Sequence, residues 1–434
     1  MKVLNNLKFL PFLYVFIDYD FFIILGVFFG IIVYLDKIKI HDSAFILKVT
    51  FLMFLLVRFV SGFDSRLNFY WQTLSQKNYS LDGKFIDLQD VFIVFNCNSL
   101  EQFEYIILGN DRYVTCPYTV GYGPFFDFVV LENNVVLSTF LLTLAIFSIL
   151  YILYISVLSK LSPKERYLFT LFSVSPPVNF ILERMNFDIV IFVSLIFIYK
   201  FVKSNNLRNI FLTLLVFMKF YPLFLIVGNL IYSLIKKNYK HFKSDLTFLS
   251  IIIFVLITQN IAANGISTAA RPYRPDRTFG LWSESINFNN LFGWKTWVVY
   301  VFIIFLIILI TIYQKKYFAY SGVLESNFNY SLTILFLSLS LFSNYDYRLA
   351  FLVIFSIDVI RSKSKTLFFS YFLFMFSSPS ILHSYGNLFQ LVENYQFVFM
   401  DVSFYFLISS LILEHLYFLK KNSSLRILNF IKNN

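Results

Sequence analysis

The residues able to do chemistry in this chain are few, charged and set in or beside apolar sequence. Carboxylates stand at Asp18 and Asp20 inside the first apolar run and at Asp64 where the second one ends. A lysine lies in Met218-Lys219-Phe220-Tyr221-Pro222, in the middle of another such run. Glu183-Arg184-Met185-Asn186-Phe187-Asp188 interrupts another, and Asn344-Tyr345-Asp346-Tyr347-Arg348 separates two more. Arg271, Arg274 and Arg277 recur at three-residue spacing ahead of Trp282 and Glu284, and Tyr122 sits in a Tyr-Gly-Pro turn. A lone carboxylate suits general-base work. Guanidinium groups suit bidentate contact with phosphate, and a lysine can stabilise charge growing on a departing oxyanion. Each also has a plain structural reading. Glu183 and Arg184 can form a buried ion pair, Lys219 can snorkel to an interface, and the three arginines can face lipid headgroups. No Walker loop, dinucleotide glycine pattern, His-Glu-x-x-His or Cys/His ligand spacing is present. No metal ligand is assigned, and a divalent cation at paired acids stays open.

These residues need a membrane scaffold to hold them. Hydrophobic residues make up 58% of the 434, charged ones 14%, and mean hydropathy is +0.70, the signature of an all-α polytopic membrane protein. The net charge of +11 is organised by loop. Segments 159–166, 200–208, 236–245, 314–317, 361–365 and 420–434 hold 19 Lys or Arg against two acids. That is positive-inside topology and excludes a nucleic-acid footprint. The large loop 64–134, with nine acids and four bases, falls on the outer side. It carries Trp71, several tyrosines and Val91 to Phe95, and is expected to fold against the membrane as short helices. Cys97 and Cys116, both in this loop, can bridge in an oxidising compartment. Two placements of the N-terminus fit: outside, with 9–35 as a full span, or inside, with Asp18-Tyr19-Asp20 at the tip of a hairpin. No cleavable signal peptide is expected.

Spans are expected at 44–63, 135–158, 167–182, 189–199, 246–261, 298–313, 330–342, 349–360, 366–376 and 397–419. With the N-terminal run and the apolar run 210–235, they make about 11–13 transmembrane segments in one domain, 1–434. Segment 210–235 differs from the others because both flanks are basic, Lys203 and Arg208 before, Lys236, Lys237, Lys240 and Lys243 after. The chain must therefore enter and return on one side, and Pro222 supplies the break. Each arm of about a dozen residues reaches roughly 18 Å, short of a hydrocarbon core of about 30 Å. The expectation is a re-entrant hairpin with Lys219 at its tip, and an intramembrane lysine is by default a functional-site hypothesis. A second outer loop, 264–294, carries the arginines.

The order of these motifs resembles the GT-C superfamily of membrane glycosyltransferases, in particular a mannosyltransferase-like branch with a Lys-x-Tyr-Pro element. The resemblance lies in Asp64 with Asn68 to Tyr70, the Tyr-Gly-Pro turn, Glu-Arg-Met-Asn-Phe-Asp, Met218 to Pro222 and Tyr345 to Arg348. It implies a GT-C-like bundle with a large first outer loop. It also implies transfer of a sugar from a polyprenyl-phosphate donor to a glycan or lipid-linked acceptor at the outer face, with an Asp general base. Asp64 is the candidate base, with Asp18 and Asp20 as rivals, because the family's acid usually follows the first span. Lys219, Tyr221, Arg184, Asn186, Arg271, Arg274, Arg348, Tyr122 and Glu284 are the candidates for binding donor phosphate or substrate. Tyr70, Trp71 and Trp282 can stack on sugar faces, against the commoner alternative of plain packing. No cofactor is required, because a lipid phosphate is already a good leaving group. Expected partners are the donor, the acceptor and membrane lipids, in a bacterial inner membrane with the site facing the periplasm. Two other readings stay open: an O-antigen-type polysaccharide polymerase, and a flippase or transporter of lipid-linked sugars.

Overall fold

A computed structural model describes residues 43–63, 102–107, 110–115, 135–175, 177–178, 181–182, 188–258, 278–279, 281, 285, 293, 295–341, 344–376 and 390–423. These residues are predominantly helical, and three segments are long and apolar enough to cross a membrane alone: Phe140–Leu158, Thr296–Gln314 and Asp401–Asn422. Shorter apolar helices cover Ala44–Leu56, Leu223–Ile235 and Lys365–Phe376. The chain divides into two compact units, one of residues 1–93, 129–193 and 375–400, the other of 94–128, 194–374 and 401–434.

In the first unit, α1 (Ser43–Phe63), α2 (Val135–Leu158) and α3 (Pro163–Ser173) meet around Tyr154. Its ring stacks on Phe51 at 4.1 Å and on Phe169 at 5.6 Å. Its hydroxyl lies 2.6 Å from Thr170 Oγ1, so the one polar atom of a buried ring is satisfied. Helix α3 starts where the sequence provides a start, Ser162 followed by Pro163. The Ser162 N–H donates to Glu165 Oε2 at 2.7 Å, a side chain reaching back over the first turn.

Helix α4 (Asp188–Phe201) runs from the first unit into the second. The second unit then contains α5 (Asn205–Met218), α6 (Leu223–Ile235) and α7 (Tyr239–Thr258). It continues with α8 (Thr296–Gln314) and α9 (Asn327–Leu341). A 3-10 helix over Asp346–Phe355 leads into α10 (Ser356–Arg361), followed by α11 (Lys365–Phe376) and α12 (Gln390–Ser423). Helix α11 straddles the boundary between the units, and α12 enters the second unit at Asp401. Helix α8 shows why this is not a water-soluble bundle. Only Val299, Ile303 and Ile307, spaced by four, are buried on it together with Gln314, while Trp297, Val301, Phe305 and Ile312 are exposed. A helix apolar on its uncovered side suits lipid.

Three expectations are corrected. Part of the outer loop expected as short helices is an antiparallel strand pair, β1 (Gln102–Ile107) with β2 (Asn110–Thr115), in register Gln102 to Thr115 and Ile107 to Asn110. Phe103, Tyr105, Ile106, Ile107, Tyr113, Val114 and Thr115 are aromatic or β-branched, which favours strand over helix. The run 349–360 is not one α-helix. Its first part winds as 3-10 helix, and the Tyr371 hydroxyl donates to the Leu352 carbonyl at 2.8 Å from outside that ladder. Finally, the helix expected from 246 begins at Tyr239, which takes Lys240, Lys243 and Asp245 into α7.

Candidate functional site

The apolar run 210–235 breaks at its proline. Helix α5 ends at Met218, and Lys219 is extended (φ −147°, ψ 137°), its N–H still donating to Leu215 O at 2.9 Å. Pro222 then stands at the N-cap of α6, where a missing N–H costs nothing. Turn bonds Leu223 N–H to Phe220 O (3.0 Å) and Phe224 N–H to Tyr221 O (3.1 Å) complete the reversal.

The two arms return to one place. Asn205 and Asn209, one helical turn apart on α5, donate through Nδ2 to Asp245 Oδ1 at 2.9 and 2.7 Å. Ser233, near the end of α6, donates to Asp245 Oδ2 at 3.0 Å. Asp245 is wholly buried on α7, so the start of one arm and the end of the other share a single acceptor. Deeper along α6, the helix lies against α9 so closely that a Cβ on Gly228 would meet Ser331 Cα at 2.5 Å. Beside that contact Ser331 Oγ lies 2.7 Å from Asn229 Oδ1, and the Tyr199 hydroxyl approaches the same oxygen at 3.4 Å.

The tip itself packs on another motif-bearing segment. Tyr221 is buried, with its ring edge-on to Phe351 at 5.7 Å. Phe351 belongs to the 3-10 helix that starts at Asp346, and Arg348 precedes it by three residues, one turn and about 6 Å of rise in such a helix. Immediately before this helix, β4 (Asn344–Tyr345) pairs antiparallel with β3 (Thr278–Phe279), Thr278 opposite Tyr345 and Phe279 opposite Asn344. Thr278 directly follows Arg277 in the sequence. The backbone of the second unit thus gathers the Lys-x-Tyr-Pro tip, the Tyr-Asp-Tyr-Arg turn and the end of the arginine loop.

Of the sequence candidates, Lys219 is half-buried at the tip, Tyr221 is buried beneath it, and Arg348 is placed by its backbone. Asp64, Asp18, Asp20, Arg184, Asn186, Arg271, Arg274, Tyr122 and Glu284 lie outside the described residues, as do Cys97 and Cys116. Among the described residues no group of three His, Cys, Asp or Glu side chains is placed to hold a metal ion. Two side chains escaped sequence reasoning. Arg58 is buried in α1, in the apolar run that leads to Asp64, and a single arginine in such a run is itself the signal. Asp245 was hidden in a basic loop by its lysine neighbours. Its signal is the Asn205 and Asn209 spacing, which puts two amides on one helix face.

The apolar outer surfaces, the buried polar layer between helices and the spanning segments define a helical membrane protein. The chain matches no protein-family model, no curated protein and no solved structure.

Proposed function

We propose that this protein is an inverting glycosyltransferase of the GT-C type that takes its sugar from a polyprenyl-phosphate donor. The observation that carries the proposal is the broken helix pair whose Lys-x-Tyr-Pro tip packs, through Tyr221 and Phe351, on the helix containing Arg348. Two cation-bearing segments held against each other suit the phosphate of a lipid-linked sugar. The acceptor hydroxyl of a glycan or lipid-linked saccharide attacks the anomeric carbon, and its proton passes to the Asp64 carboxylate. The bond from that carbon to the phosphate oxygen breaks, and polyprenyl phosphate leaves with the electron pair. In this reading Lys219 and Arg348 hold the phosphate; the GT-C resemblance would give Arg271 and Arg274 the same task and Arg184, Asn186, Tyr122 and Glu284 a part in binding sugar or acceptor. Tyr221 supports the tip. No cofactor is needed for this step, because the leaving group is already a phosphate. The site faces the outer side of a bacterial inner membrane, opposite the basic loops.

Binding of polyprenyl phosphate to protein in lipid nanodiscs tests the assignment of the tip. Lys219→Gln should weaken binding at least about tenfold, the equivalent of about 1.4 kcal/mol, without lowering the melting temperature. Unchanged affinity would remove Lys219 from the site.

A further inference from the structure

We propose that Asp245 is a positioning residue: it clasps the open end of the α5–α6 pair and thereby sets where Lys219 stands at the closed end. The role of Lys219 as phosphate ligand rests on the function proposed above; the clasp rests on geometry alone.

At the tip the two arms are covalently continuous through an extended residue and a turn. At the base, about 15 Å away along ten residues of helix, their shared anchor is one carboxyl group. Asp245 accepts from three donors on two helices, Asn205 and Asn209 of α5 and Ser233 of α6, at 2.7–3.0 Å. It is fully buried, as are Asn209 and Ser233. A second tie runs beside it: Ser244 Oγ donates to Asn206 Oδ1 at 2.7 Å, and Asn209 Nδ2 also approaches Ser244 Oγ at 3.3 Å. Burying a carboxyl among amides is costly unless every partner is in place, so an apolar residue would be the cheaper way merely to fill this space. What the carboxyl adds is direction. Three donors aimed at two oxygens fix the rotation of α5 and the depth of α6 on α7, whereas apolar side chains can slide past one another. A hinge closed at both ends leaves the tip little freedom, and a displacement of about 1 Å at a reacting group can cost a hundredfold in rate.

The test reads position 219 directly and needs no activity. In protein with Cys97→Ser and Cys116→Ser, a single cysteine is introduced by Lys219→Cys, and its reaction rate with a hydrophilic maleimide is measured in vesicles opened to both sides. A separate preparation with Tyr317→Cys, in an exposed turn of the same unit, reports general loosening. Adding Asp245→Asn should raise the rate at 219 by about fivefold, the effect of one net hydrogen bond, and leave the rate at 317 unchanged. Ser233→Ala, which keeps two of the three donors, should give a smaller change in the same direction. The exchange Asp245→Asn with Asn209→Asp restores an amide–carboxyl pair between α5 and α7 and should bring the rate back. Should Asp245→Asn fail to fold, Ser233→Ala decides. The clasp is overturned if position 219 does not respond, if 317 responds equally, or if the exchange restores nothing. Sugar transfer is read separately, in protein that keeps Lys219: a shift at 219 in the labelled protein with no transfer by the Lys219-bearing wild type would leave the clasp standing and sink the function, whereas transfer by the wild type with 219 unmoved by Asp245→Asn would do the reverse.

Discussion

Glu325, on the turn between α8 and α9, accepts from Lys236 Nζ and Lys421 Nζ at 2.8 Å each and from the Tyr320 hydroxyl at 2.8 Å. One side chain thus joins the end of α6, the end of α12 and its own turn. Partial burial pushes its carboxyl up, but the hydrogen bonds from Lys236, Lys421 and Tyr320 and the charge of Lys236 outweigh that and hold it down at about 2. A carboxyl depressed in the folded state stabilises above its ordinary value of 4.5 and loses that contribution as pH falls from there towards 2. With the side chain about a third exposed, solvent screening limits the contribution to about 1 kcal/mol. Melting temperature in detergent should therefore drop between pH 5 and 3 in the wild type, and Glu325→Gln should melt lower at pH 7 with a flatter pH profile. Identical profiles would show the cluster to be inert. At this scale the sequence showed which residue types gather but not which ones meet. Lys219 stood out because a lysine inside an apolar run has few explanations. Asp245 did not, because its partners Ser233, Asn209 and Asn205 lie 12, 36 and 40 positions away along the chain and nothing beside it announces them.

The break at Pro222 was legible because proline acts on its own backbone, whatever surrounds it. Helix ends governed by distant partners were not. Helix α7 begins seven residues earlier than its apolar run, since its first two turns are held by the polar clasp and not by hydrophobic burial. The 3-10 winding after Asp346 and the strand pair at 102–115 likewise depend on contacts or on side-chain shape that an apolar count ignores. The sharpest constraint between elements is Gly228. Its missing Cβ lets α6 and α9 touch backbone to side chain at Ser331, as small residues do at helix crossings in membranes. Gly228→Ala places a methyl 2.5 Å from Ser331 Cα, a backbone atom that cannot rotate away. It should destabilise by about 1–3 kcal/mol, the range for overpacking, seen as a lower melting temperature and weaker polyprenyl-phosphate binding. A gain of helix propensity with no loss of either would mean that the two helices have room to separate.

Over the whole molecule, composition and loop charge announce the membrane before any element is assigned, because lipid imposes one solvent on every span. The described helices agree at that level: three are long and apolar enough to cross a membrane, and α8 exposes apolar side chains on the side it does not bury. The chemistry is harder to read, since it depends on which segments the chain brings together. The sequence ordered those segments, and the pairing of Thr278 with Tyr345 and of Tyr221 with Phe351 shows two of their meetings. The most direct test of the proposal is donor use by the purified protein in vesicles, offered in turn a polyprenyl-phosphate sugar, a nucleotide sugar and a polyprenyl-pyrophosphate oligosaccharide. The account predicts release of polyprenyl monophosphate with sugar transferred from the first donor alone, and turnover slower by about 10²–10⁴ in Asp64→Asn, the usual loss for a missing general base. Consumption of the pyrophosphate oligosaccharide would point to a polymerase, and movement of the lipid-linked sugar across the bilayer without cleavage would contradict the account outright.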